Sequence, residues 1–169
     1  MQRAGQATPL VSFIAPNDPR FLKPDDMPTT IREYCRATSQ MVPATPGALI
    51  RSALENLALE YRRVLLLLER LVGCGLKTIH IVGGGTQNRL LCQMTAAACQ
   101  RRVLAGPVEA TAIGNIMMQG VATGVIGSIA EARDVIRTSF EVDEYVPQNP
   151  RPWDEAFERF QALDGSSGR

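Results

Sequence analysis

Thr78-Ile79-His80-Ile81-Val82-Gly83-Gly84-Gly85-Thr86-Gln87-Asn88-Arg89-Leu90-Leu91 joins three signals in one short stretch. The β-branched run Thr78–Val82 reads as a strand, three successive glycines end it, and a helical pattern starts at once, running from Gln87 to about Gln100. Ordering three glycines costs more backbone entropy than ordering any other tripeptide. Such a run makes sense where a ligand must touch bare backbone. A strand, a glycine turn and a helix N-terminus together form an anion site, with unpaired N–H groups facing a phosphate. The stretch therefore reads as a nucleotide-phosphate loop.

Known phosphate-loop patterns can be tested against it. The Walker A pattern needs a Lys after its last glycine, and none follows here. The dinucleotide fingerprint G-x-G-x-x-G is met at Gly83 and Gly85, but Asn88 stands where the third glycine belongs. Glu109, after the next strand, lies roughly where a ribose-binding acid would sit. A nicotinamide-dependent oxidoreductase and a tight strand-to-helix turn with no ligand both stay open on the residues alone.

Upstream, Thr45-Pro46 reads as an N-cap followed by Pro at the first helical position. The helix it opens should run to about Val72, where Gly73 and Gly75 stop it. Leu49, Ile50, Ala53, Leu54, Leu57, Ala58, Tyr61, Val64, Leu65, Leu68 and Leu71 make a 3.6-residue stripe along it, widened by Leu66 and Leu67. The stripe marks it as a core helix. Residues 1–28 read as irregular, broken by five prolines, with Asp18, Asp25 and Asp26 as turn residues. Thr30-Ile31-Arg32-Glu33 reads as a capping box opening a short helix to about Ser39.

Downstream, Arg102–Ala105 reads as a second, buried strand and Gly106-Pro107 as a turn. A helix follows from about Glu109 to Gly124. Gly114 within it costs about 1 kcal/mol against Ala, which close approach by a partner backbone or a ligand would justify. Ser128-Ile129-Ala130-Glu131 is another capping box, opening a helix to about Thr138. Pro147–Pro152 reads as a linker-like turn, and Trp153, Ala156, Phe157, Phe160 and Leu163 as one face of a last amphipathic helix. Strands separated by helices imply an α/β fold with parallel pairing, although two strands make a small sheet.

Composition narrows the partners. With 169 residues the chain suits one domain, residues 1–164, ending in a tail at 165–169. A net charge of +1 gives no polyanion footprint and 5% aromatic residues offer few stacking platforms, so no nucleic-acid partner is expected. The longest apolar run, Val64–Leu68, is far too short to span a bilayer, and the N-terminus lacks the apolar core of a signal peptide. Four cysteines, Cys35, Cys74, Cys92 and Cys99, form no C-x-x-C, and His80 is the one histidine, so no metal site is expected. Cys92 and Cys99 lie roughly 10 Å apart on one helix, too far for a disulfide. Free thiols imply a reducing cytoplasm.

The wording around the glycines carries a further signal. H-I-V-G-G-G-T-Q-N-R-L-L-C-Q at 80–93 and A-G-P-V-E-A-T-A-I-G-N-I-M-M-Q-G at 105–120 resemble the C-terminal domain of the FGGY family of carbohydrate kinases. The stretches D-P-R-F-L-K-P-D-D-M-P, Y-C-R, P-A-T-P-G, L-A-L-E-Y-R-R and Y-V-P-Q-N-P-R-P-W-D-E-A-F-E-R-F resemble one branch of that family, whose sugar is L-rhamnulose. The resemblance covers nearly the whole chain. It implies a helix-rich α/β fold, part of the ribonuclease-H-like, actin-like ATPase C-terminal domain. It also implies ATP with Mg2+ as cofactor, with Gly83, Gly84 and Gly85 approaching the nucleotide and Asn88 beside the adenosine. Glu109, Ala110, Thr111 and Gly114 would sit near the far side of the nucleotide cleft. A first-turn acid and a helix start explain Glu109 and Thr111 equally well.

Other parts of the family pattern do not appear. No D-x-G-T-x-x-x-R loop precedes the first strand, and no segment resembles the sugar pocket or the aspartate general base. No catalytic residue is expected in this chain, which reads as about the last third of a kinase. The sugar would bind through a preceding domain. Two functions follow: part of an ATP-dependent sugar kinase, inactive alone, or a non-catalytic nucleotide-binding or interaction module. Either leaves an open sheet edge between Thr78 and Ala105 that invites a homodimer.

Overall fold

The computed structural model describes residues 2–164. The tail read at 165–169 lies outside the described residues. Helix α1 is a single turn, Gln2–Gly5. After it the chain passes a bend at Leu10, with φ 55°, runs without helix or strand through residues 11–15, makes a 3-10 turn at Pro19–Phe21, and enters α2, Met27–Ala37. Helix α2 starts a turn earlier than the capping box at Thr30 suggested. Asp26 is its N-cap, accepting from the Thr29 amide at 3.0 Å, and Pro28 fits in the first turn where no N–H is needed.

Helix α3, Pro46–Val72, has the ends its sequence signals specify. The Thr45 hydroxyl accepts from the Ala48 amide at 3.1 Å, and Gly73 closes the helix with φ 70° and an N–H bond to the Glu69 carbonyl at 3.0 Å. Its burial departs from the expected stripe. Leu59, absent from that stripe, is fully buried beside Ala58, while Ile50, Tyr61, Val64, Leu68 and Leu71 are 39–73% exposed. The reason is polar. Ser52, Glu55 and Asn56 face inward because they hold the N-terminal segment.

That segment, irregular by sequence, is part of the core. Ser12, Phe13, Ile14 and Ala15 are all buried. Asn56 donates to the Ser12 carbonyl at 2.9 Å and accepts from the Ile14 amide at 3.0 Å. On the neighbouring residue Gln40 accepts from the Phe13 amide at 2.7 Å and donates to its carbonyl at 2.8 Å. Side-chain amides thus replace the strand neighbours that a buried extended segment would otherwise need. Glu55 accepts from the Leu10 amide at 2.9 Å and from Arg51 at 2.7 Å. Burial nevertheless pushes its carboxyl above the usual range.

The sheet has three strands, one more than the sequence suggested. Strands β1, Thr78–Ile81, and β2, Arg102–Ala105, pair in parallel with Thr78 opposite Arg102 and Ile81 opposite Ala105. Strand β3, Asp143–Tyr145, runs antiparallel on the far side of β2, with Val103 opposite Tyr145. Asp143 and Glu144 lie exposed on this edge strand, so it shows no apolar alternation. Strand order is β1-β2-β3, and the outer edge of β1 is unpaired among the described residues.

Helix α4, Arg89–Cys99, starts at Arg89 rather than Gln87 and covers the sheet face that carries the buried Val103 and Ala105. The long helix α3 packs on α4, on α1 and on the last helix of the chain, so α4 stands between it and the sheet. Helix α7, Pro150–Asp164, begins within the stretch read as a linker, because prolines fit a first turn. It buries Trp153, Ala156, Phe157 and Phe160 against Leu59, Leu91, Met94 and Ala98. Helices α5, Ala110–Ala122, and α6, Ile129–Ser139, form a hairpin that packs mainly on itself. Ser128 and Glu131 cap α6 as expected, through bonds at 3.1 Å to the Glu131 amide and 2.8 Å from the Gly127 amide. Among the described residues no helix is long and apolar enough to cross a membrane.

Candidate functional site

Both parallel strands end on the same edge of the sheet, where ligands bind in open α/β sheets. The glycines after β1 form a 3-10 turn, Gly83–Gln87, rather than an open loop. Gly83 has φ 77°, a conformation that favours glycine, and donates to the Pro107 carbonyl at 3.1 Å. Gly106, at φ 140° in the loop after β2, donates to the Ile81 carbonyl at 2.9 Å. A Cβ on Gly106 would stand 2.8 Å from the Glu141 carbonyl oxygen. Two reciprocal backbone bonds therefore lock the glycine turn to the loop that leads into α5. Through that loop the structure brings Gly83–Gly85 near the start of α5, where Glu109 and Ala110 stand.

The three glycines do different jobs. Gly83 meets a backbone requirement. A Cβ on Gly85 would make ordinary contact with Ile81 at 3.5 Å. A Cβ on Gly84 would meet nothing within 4 Å, so no neighbour in the chain demands glycine there. The amides of Gly84 and Gly85 open the 3-10 turn and have no intrahelical partner. The Thr86 hydroxyl donates to the Gly83 carbonyl at 2.8 Å, and the Cys92 thiol lies 3.8 Å from the Gly85 carbonyl oxygen, bracing the turn from below. Burial is the main cause holding the Cys92 thiol in its neutral form, with Asp143 adding to it. Thr86, Cys92 and Gly106 are supporting residues that sequence reasoning left out; the Gly-Pro pair at 106–107 was the available signal.

Asn88 is the N-cap of α4, its side-chain oxygen accepting from the Leu91 amide at 3.1 Å. Arg89 in the first turn is 4.0 Å from Asp143. Those two residues, with Thr86, Gln87, Gly106, Val108 and Glu141, line a cavity of about 280 Å3 beside the turn. The start of α4 is thus already capped, and two carboxylates face it. The opening amides of the 3-10 turn, by contrast, have no side-chain cap. Glu109 is exposed at the N-cap of α5 and makes no side-chain cap bond. Gly114 lies on α5 with nothing from outside its own turns within 4 Å of a built Cβ, so no packing neighbour among the described residues explains it. Among the described residues no three His, Cys, Asp or Glu side chains group to hold a metal ion.

Comparison with known proteins identifies the family. The family model described as "FGGY family of carbohydrate kinases, C-terminal domain" matches residues 1–123. A rhamnulokinase from Bacteroides thetaiotaomicron is 44% identical over 158 residues, covering 94% of this chain and 33% of the relative. One from Enterococcus faecalis is 50% identical over 135 residues, covering 79% of this chain and 27% of the relative. The chain spans about a third of the length of the curated relatives it matches. Among solved structures, a Brucella ovis kinase titled "xyloylose kinase" superposes with TM-score 0.58 at 25% identity, covering 73% of this chain and 25% of that one. Plasmodium falciparum glycerol kinase, solved with ADP, gives 0.59 at 19% identity, covering 75% and 26%. With its family model matching across β1, the glycine turn and β2, the chain belongs to the FGGY family of carbohydrate kinases, as part of its C-terminal domain.

Proposed function

We propose that this chain is the nucleotide-facing portion of an ATP-dependent carbohydrate kinase whose sugar is L-rhamnulose, the products being ADP and L-rhamnulose 1-phosphate. The observation that carries the reading is the glycine turn fixed at the ends of two parallel strands, with Gly84 open to space. ATP fits there as a phosphate tail lying over the Gly84 and Gly85 amides, with the nucleoside directed toward Asn88 and the Gly114 face of α5. Bare backbone lets the phosphate approach more closely than any side chain would. Mg2+ would arrive on the nucleotide; the described residues bring together no group of three His, Cys, Asp or Glu side chains to hold it. Phosphoryl transfer needs a positioned sugar and a base, and both belong to a preceding domain in this reading. The sugar assignment rests on the rhamnulokinase relatives, since no sugar pocket is described.

The partners follow from the same reading. The unpaired edge of β1 and the apolar surface of α5 suit a preceding part of the kinase, or a second copy of this chain in its absence. A cytoplasmic setting suits four free thiols. A second reading, a non-catalytic nucleotide-binding or interaction module, draws on the same uncovered apolar surface. A coupled ADP-release assay with L-rhamnulose separates them. The chain alone should give no sugar-dependent turnover, and adding the preceding two-thirds of a rhamnulokinase should restore it. Turnover by the chain alone would overturn the placement of the base, and failure of complementation would favour the module.

A further inference from the structure

Strand β2 sends Val103 and Ala105 to α4 and Arg102 and Leu104 to the opposite face of the sheet. On that opposite face the register aligns His80, Leu104 and Glu144 in one row across the three strands. Helix α6 lies alongside and turns Arg133, Ile136 and Arg137 toward it, at i, i+3 and i+4 spacing. Sheet and helix enclose a groove of about 550 Å3 whose wall includes Val82, Pro107 and Val142. It meets the cavity beside the glycine turn only at Gly106.

The charges in this groove are unequal. Arg102, Arg133 and Arg137 are set against the single acid Glu144 in the lining. Glu144 is engaged by Arg102 through two contacts, at 2.6 Å and 3.1 Å. Among the described residues Arg137 pairs only with Asp134 on its own helix, at 2.9 Å, with both side chains largely exposed, a contact of little strength. Arg133 has no ion-pair partner among the described residues. Apolar side chains form the floor, and Arg side chains on two separate elements form the rim. Guanidinium groups recognise carboxylate and phosphate oxygens in pairs, and a volume in this range suits a small organic ligand.

We propose that this groove binds an organic anion with a flat apolar body, a carboxylate or phosphate being held between Arg133 and Arg137 while the body lies on Leu104 and Ile136. Phenyl phosphate is the probe, with inorganic phosphate lacking the apolar body and benzamide lacking the charge. Amide NMR titration of the whole chain should move residues 80, 102–104 and 133–137 with phenyl phosphate. Its binding should be at least about tenfold tighter than that of either control, since a charge-assisted contact and a buried ring each contribute on that scale. Benzoate in a parallel arm distinguishes a carboxylate from a phosphate preference. Arg133→Gln with Arg137→Gln should weaken phenyl phosphate about tenfold or more while leaving ADP shifts at 83–85 unchanged. Arg133→Gln alone, which breaks no ion pair, serves if the double variant loses its fold. Equal binding of inorganic phosphate or benzamide, shifts confined to other residues, or unchanged affinity in the variants would overturn the proposal. So would a groove that closes with rising protein concentration before any probe is added.

Discussion

Helices α4 and α5 each follow a parallel strand, and both are strongly apolar, yet they end in opposite surroundings. Helix α4 has eleven residues and buries eight of them, Leu91, Cys92, Met94, Thr95, Ala96, Ala97, Ala98 and Cys99. Helix α5 has thirteen residues, none charged, and buries only Ile113. Ile116 and Met118 are 62% and 53% exposed. Helix α4 finds α3, α7 and the sheet within this chain, whereas α5 finds α6 and little else. An uncharged helix left bare among the described residues is what the proposed docking of a preceding kinase part or a second copy requires. The contrast separates what this chain can stabilise by itself from what it presents to a partner.

The largest effect should expose that contrast directly. Leu59→Ala or Phe160→Ala, in the cluster around α4, should lower the unfolding free energy by about 3–5 kcal/mol. Ile116→Ala on α5 should change it by less than about 0.5 kcal/mol, and Ile116→Asp should reduce self-association seen by light scattering. Urea unfolding reads the first pair. An equal cost in the cluster around α4 and at Ile116 on α5 would break the comparison.

The packed half should also be the alkali-sensitive one. Burial pushes the Cys99 thiol from its ordinary 9.0 up to about 12, with Arg62 and Arg101 pulling the other way. The unfolded chain loses that proton near pH 9 while the folded chain keeps it. Stability is therefore intact below pH 9 and falls as pH rises toward 12, by roughly 4 kcal/mol if the whole difference is realised. Cys99→Ala should flatten the slope measured between pH 8 and 11. In the native protein a thiol reagent should reach the exposed Cys74 first, and all four cysteines only after unfolding.

Much of the packed half was legible beforehand, because its signals are local. Thr45-Pro46 and Gly73 mark the ends of α3, and the Trp153–Phe160 face of α7 is a simple helical stripe. Two things escaped. Asn56 and Glu55 look like surface residues of α3, yet they are buried as clamps on a segment more than forty positions away. No sequence pattern announces a side chain acting as a strand neighbour. Strand β3 escaped because exposed acids on an edge carry no alternation. In the site, the sequence located the glycines but could not divide their labour. Only the φ of Gly83 and the open space at Gly84 reveal that one serves the backbone and the other faces outward.

Smaller effects sharpen these points. Asn56→Ala should cost about 1–3 kcal/mol, since it strands the Ile14 amide and the Ser12 carbonyl in the core. Asn88→Ala should cost about 1 kcal/mol through loss of the α4 cap, and Asn88→Asp should recover most of it. If Asn88→Asp restores stability but still weakens ADP binding, the residue has a ligand role beyond its cap.

The central claim is that a nucleotide phosphate lies over Gly84. ADP titration followed by amide NMR tests it in the wild type and in Gly84→Val, a change with room to fold because nothing lies within 4 Å of the new Cβ. Affinity for the chain alone should be weak, on the order of millimolar, since one helix terminus contributes only about 0.3–2 kcal/mol to a phosphate. The account predicts shifts at residues 83–88 and 110–115 that disappear in a folded Gly84→Val. Shifts confined to other residues, or an unchanged response in that variant, would contradict it.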